Sequence, residues 1–184
     1  MILRYSGLAA EDLLLMGLWL RMMELGDIER VWGTVIPPKE FMDRIADSKL
    51  YYRLNEEGSA IVSTWWFNRM IESETLAIWF DPKESRIRGW IGTKQVMNNE
   101  FLETESILVA TSQERLLDIY KKLGYKILTE VPKMYPNGVK GYLALLTRED
   151  WVAATSRGGK HEKEEAMGEQ LTFGDFTGDP RWLS

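Results

Sequence analysis

The chain contains no cysteine and only one histidine among its 184 residues. The first absence removes disulfides, thiolate nucleophiles and thiolate-bound metals, and leaves a reducing interior as the default compartment. The lone histidine, His161, stands in the charged stretch Arg157–Glu165 and reads as solvated. A Ser-His-Asp arrangement or a His-rich metal site therefore has no raw material, and no Walker loop or metal-ligand spacing is present. A basic surplus is missing too. Lys and Arg total 23 against 28 Asp and Glu, a net charge of −5, which argues against a nucleic-acid backbone as the main partner. The apolar run Leu13–Leu20 is far too short to span a bilayer. Glu11 and Asp12 precede it, so it does not read as a secretory leader. No internal repeat is found.

What is there is ordinary in bulk and unusual in detail. Hydrophobic residues make up 45% and charged residues 28%, as in soluble globular proteins. The length suits one domain with a sizeable core and some appendage. Eight tryptophans stand out, and large aromatics serve cores and interfaces alike.

Hydrophobic period and turn chemistry divide the chain. Ile2–Ser6 reads as a strand broken by Gly7, and Ala9–Leu25 as a helix closed by Gly26. Its middle is apolar nearly all round, so it needs cover on two sides, from the sheet and from a second helix or a partner chain. Asp27–Pro37 reads as a connector, and Pro37-Pro38 opens a short helix with Phe41, Met42 and Ile45 inward. Leu50–Asn55, Ala60–Met70 and Thr75–Phe80 form a three-stranded meander. Alternation puts Trp65 and Trp66 on opposite faces, which implies that both faces are covered. Thr93–Glu103 reads as a helix.

The most informative stretch is Ser106–Tyr125. Ile107–Ala110 is a short buried strand. Thr111 with Glu114 three residues on reads as a capping box. Leu116, Tyr120 and Leu123 share a helical face, and Gly124 stands at a left-handed cap position. Strands Tyr125–Val131 and Val139–Thr147 follow, around a Pro132–Gly138 loop.

This stretch, with its signature Ile119-Tyr-Lys-Lys-Leu-Gly-Tyr125, resembles the GNAT (Gcn5-related N-acetyltransferase) superfamily. The resemblance implies an α/β fold over residues 1–148, a mostly antiparallel sheet of six or seven strands flanked by helices. It implies one parallel pairing, between Thr75–Phe80 and Ser106–Ala110. It also implies that acetyl-CoA binds where Asp81–Thr93 meets a helix start, with Arg86, Arg88, Gly89 and Gly92 as phosphate-binding residues. Tyr120 matches the position that protonates the departing CoA thiolate. Glu72 and Glu74 are candidate bases by location. Ile91 occupies the place of a small residue in the phosphate loop. The segment therefore reads as a degenerate loop or a plain polar helix start, with acetyl-CoA bound weakly or not at all.

After Glu149 the character changes. Residues 149–184 read as a charged and then aromatic tail, whose composition allows a few helical turns from Lys160 to Leu171. Phe173, Phe176 and Trp182, set among Gly, Asp and Pro, suit docking on a partner protein, another chain or a second copy. GNAT-like chains of this kind occur among proteins encoded by tailed bacteriophages, including virion-associated ones, and this sequence is similar in style. The first expectation is thus a catalytically degenerate assembly protein without cofactor or metal, in the host cytoplasm or in a virion. The alternative is an acetyl-CoA-dependent N-acetyltransferase acting on an amine.

Overall fold

The computed structural model describes residues 1–69, 74–114, 116–135 and 138–161. The elements are β1 (Leu3–Arg4), α1 (Ala9–Glu24), α2 (Asp27–Trp32), α3 (Pro38–Ala46), β2 (Lys49–Leu54), β3 (Ile61–Arg69) and β4 (Glu74–Phe80). They continue with α4 (Arg86–Glu100), β5 (Ser106–Thr111), α5 (Leu116–Lys122), β6 (Lys126–Val131), β7 (Gly141–Thr147) and α6 (Arg148–His161). One seven-stranded sheet runs in the order β1-β2-β3-β4-β5-β7-β6. Among the described strands β4 and β5 form the one parallel pair. The others are antiparallel.

Helices cover the sheet on both faces, because alternation along β3 and β4 supplies apolar side chains to each. Trp65, Phe67, Leu76 and Phe80 pack with Val96, Met97 and Phe101 of α4 on one face. Trp66 and Trp79 pack on the other with Leu15, Leu18 and Met22 of α1, Ile28 of α2, and Phe41 and Ile45 of α3. The apolar first helix is therefore covered by the sheet on one side and by α2 and α3 on another. Leu13 and Leu20 remain exposed. Glu11, in the first turn of α1, receives the Leu8 amide at 3.1 Å and the Tyr52 hydroxyl at 2.8 Å. The helix start is thereby tied to β2.

Several elements depart from the sequence expectation. The expected connector contains α2. Helix α4 starts at Arg86, seven residues before Thr93. Its Gly89 and Gly92 read locally as loop residues, but each lies where a Cβ would crowd the sheet. A Cβ on Gly89 would stand 3.2 Å from the Phe80 ring, and one on Gly92 2.8 Å from Trp65. The glycines let α4 settle onto the sheet, and that burial outweighs their poor helix propensity. No capping box forms at Thr111, whose hydroxyl instead accepts from the amide of Gln113 at 3.1 Å. Packing also continues past residue 148. Trp151 of α6 is buried, stacks on Phe101 at 6.2 Å and donates to Asn98 at 2.7 Å. Phe173, Phe176 and Trp182 lie outside the described residues, as does Glu72.

Candidate active site

The parallel pairing of β4 with β5 is brief. Only Glu74 with Ile107 and Thr75 with Leu108 are in register. Beyond Thr75 the strands part, while β5 keeps its ladder with β7 from Ser106 to Thr111. Over Leu76–Trp79 β4 has no strand partner on that side, and its edge faces the cleft. A cleft of about 220 Å³ occupies the gap.

The cleft reaches both faces of the sheet. On the α4 side its wall includes Trp90, Thr93 and Met97, with Leu116, Tyr120 and Leu123 of α5. On the opposite face it includes Arg30 and Val31 of α2 beside Ala77. Tyr135, from the loop between β6 and β7, and Gln113 also line it. Two backbone bonds shape that loop, from the Tyr135 amide to Val139 at 3.1 Å and from the Gly138 amide to Tyr135 at 2.8 Å. The pocket is mainly apolar with a few convergent polar groups, the usual character of a small-ligand site.

Tyr120 is half-buried, its ring centroid 5.2 Å from that of Tyr125. Gly124 takes the expected left-handed conformation, φ +92°. The Tyr125 amide then bonds back to the Tyr120 carbonyl at 2.9 Å, so the cap orients both rings. Burial, with the Tyr135 phenol nearby, pushes Tyr120 above the ordinary tyrosine range. The phenol stays protonated across neutral pH and can act as a donor.

The phosphate-binding candidates are divided by the helix. Arg86 and Arg88 lie in the first turn of α4, where amides lack intrahelical partners and the helix dipole favours an anion. Arg88 pairs with Glu56 at 2.8 Å on the surface. Gly89 and Gly92 face the sheet instead. Ile91 is half-exposed, one and a half turns into the helix. The loop before α4 is braced by Arg21 with Asp81 at 2.7 Å and by Arg53 with Glu84 at 2.6 Å.

Glu74 lies at the other end of β4, away from the cleft wall. It is buried, pairs with Lys49 at 2.9 Å and neighbours the fully buried Glu100. Glu100 takes Lys49 at 2.7 Å and the Tyr51 hydroxyl at 2.6 Å. Burial and the adjacent Glu100 raise the Glu74 carboxyl, against the pull of Lys49. The structure thus brings Tyr120 to the cleft and seats Glu74 in a separate buried cluster. Among the described residues no group of three His, Asp or Glu could hold a metal ion. Among them, too, no helix is long and apolar enough to cross a membrane.

Sequence reasoning missed Arg30. It donates to Asp27 through Nε at 2.9 Å, and its Nη2 makes an ion pair with the same oxygen at 2.9 Å. Asp27 also receives the indole N–H of Trp79 at 2.6 Å. The i, i+3 spacing of Asp27 and Arg30 after Gly26 was the available signal for a short helix. The link to Trp79 has no local signature.

A mixed sheet whose single parallel pair parts over a ligand-sized cleft is the fold of the GNAT acetyltransferases. Solved structures bear this out. An uncharacterised protein from Bacillus halodurans superposes with TM-score 0.63 at 16% identity, covering 88% of this chain and 91% of its own. The ribosomal-protein-S5-alanine acetyltransferase from Vibrio fischeri gives 0.59 at 12%, covering 82% and 94%. An aminoglycoside 6'-acetyltransferase type Ii gives 0.55 at 18%, covering 80% and 96%. No protein-family model and no curated protein sequence matches the chain. At such identities the likeness concerns the fold. None of these neighbours bears on a virion association.

Proposed function

We propose that the protein is an acyl-CoA-dependent N-acyltransferase, with acetyl-CoA as the simplest donor. The observation that carries this reading is the parting of β4 from β5 after Thr75, with Tyr120 on the wall of the resulting cleft. The net reaction forms a bond from the acceptor nitrogen to the acyl carbonyl carbon, breaks the carbon–sulphur bond, and moves one proton from nitrogen to sulphur.

The residues present fit an acyl-CoA. The edge of β4 over Leu76–Trp79 would offer backbone donors and acceptors to the amides of a pantetheine arm. The first-turn amides of Ile87 and Arg88, with the Arg88 side chain, would hold its phosphates. Ile91, expected to crowd them, lies beyond that first turn. Tyr120, kept protonated by burial, holds the proton that the leaving sulphur needs. The described cleft wall carries no carboxylate or histidine.

The test is calorimetric titration with CoA and acetyl-CoA, followed by a thiol-release assay with a mixture of amines. With no cysteine in the chain, every thiol detected belongs to CoA. Micromolar binding with amine-dependent thiol release is expected. Absence of binding at millimolar CoA would refute the proposal.

A further inference from the structure

The cleft wall contains a single charged side chain among its described residues, Arg30, on the face opposite α4 and α5. That guanidinium is held from below. Asp27 Oδ1 receives the Nε–H at 2.9 Å and lies 2.9 Å from Nη2 in an ion pair, and Asp27 Oδ2 receives Trp79 Nε1 at 2.6 Å. Asp27 and Trp79 are themselves buried, with 4% and 1% of their surface exposed. Trp79 belongs to β4 beyond the point where it leaves β5. The chain indole, carboxylate, guanidinium therefore references Arg30 to the strand that forms the cleft.

Two features of this arrangement exceed what a counter-ion for Asp27 requires. Asp27 lies against the Nε side of the guanidinium, which leaves the Nη1–Nη2 edge for a second planar anion. The side chain is also ordered in advance, so a ligand does not have to meet that entropy cost. Val31 and Ala77 beside it are small and apolar, which suits a short aliphatic substituent better than a polymer chain.

We propose that the acceptor is a small amine bearing a carboxylate, α-amino acids being the simplest members, with the carboxylate docked on Arg30. This rests on the acyltransferase reading and adds the acceptor class to it. Docking also has a chemical consequence. A neighbouring carboxylate stabilises an ammonium and lowers the share of neutral, nucleophilic amine. Pairing that carboxylate with a guanidinium weakens the effect and raises the share of nucleophilic amine.

The experiment uses the full chain and begins with calorimetric titration of CoA. The CoA-saturated protein is then titrated with glycine, alanine, serine and valine, each as free acid and as primary amide. Thiol release from acetyl-CoA is measured with the same eight compounds. The amide amine is the less basic of each pair, so intrinsic reactivity favours the amides. The proposal requires the reverse order. At least one free acid binds about tenfold or more tighter than its amide, the range for a charge-assisted contact, and is acetylated faster. Arg30→Met should level the two, and Arg30→Lys should restore part of the difference. The comparison on the unaltered protein decides the matter even where Arg30→Met fails to fold. If CoA binds and the amides match or beat every acid, the carboxylate assignment falls while the acyltransferase reading stands. If CoA does not bind, both fall.

Discussion

Gly92→Ala is the sharpest test of why α4 lies where it does. The added Cβ would stand 2.8 Å from Trp65 Cη2 and 2.9 Å from Cζ2. Ordinary contact begins near 3.4 Å, so helix and indole must separate by roughly 0.6 Å, the kind of shift that overpacked cores resist. The indole has nowhere to go. Trp65 is fully buried, meets Phe80 edge-on at 5.7 Å, and donates to Thr93 Oγ1 at 3.0 Å. Thr93 in turn donates to the Gly89 carbonyl at 3.0 Å. Any retreat disturbs that relay. The clash should cost about 1–3 kcal/mol, partly hidden by a gain of about 1 kcal/mol from replacing a helical glycine. Gly17→Ala separates the two effects. Gly17 lies within α1 with nothing inside 4 Å of its would-be Cβ, so that variant should show the gain alone. Urea unfolding followed by tryptophan fluorescence should find Gly92→Ala less stable than Gly17→Ala by about 1–3 kcal/mol at unchanged m-value. Equal stabilities would refute the close approach of α4 to the sheet.

Two further outcomes follow from the charged and phenolic groups. Tyr120→Phe should leave CoA affinity intact and slow acyl transfer by about 10²-fold or more, the usual share of a general acid; unchanged turnover would remove Tyr120 from the mechanism. Glu74 has its carboxyl raised in the folded state by burial and by Glu100 beside it. The unfolded chain therefore loses that proton first as pH rises, and stability falls through the window above the ordinary carboxyl value of about 4.3. Glu74→Gln retains the neutral form, so its urea midpoint should gain on the parent protein as pH goes from about 4 to 7. Parallel midpoint–pH curves would show that Glu74 carries no shifted proton.

Local pattern determined much of this molecule. The meander β2–β4, the strand–helix–strand around Tyr120, the left-handed Gly124 and the opposed faces of Trp65 and Trp66 all follow from period and turn chemistry within about twenty residues. The parallel pairing of β4 with β5 came instead from the resemblance to the GNAT superfamily carried by Ile119–Tyr125. What needed tertiary structure was every feature whose reward comes from distant residues. Gly89 and Gly92 read as loop because their cost is local, whereas their benefit is contact with Phe80 and Trp65. Glu74 was a candidate base by its place in the chain, and Lys49 and Glu100 enclose it away from the cleft. Arg30 lay in an expected connector, and its meaning depends on an indole bonded to Asp27 from 52 positions away. Spacing along a chain encodes which face a residue occupies. Which charge it meets there is decided only when the sheet closes over the helices.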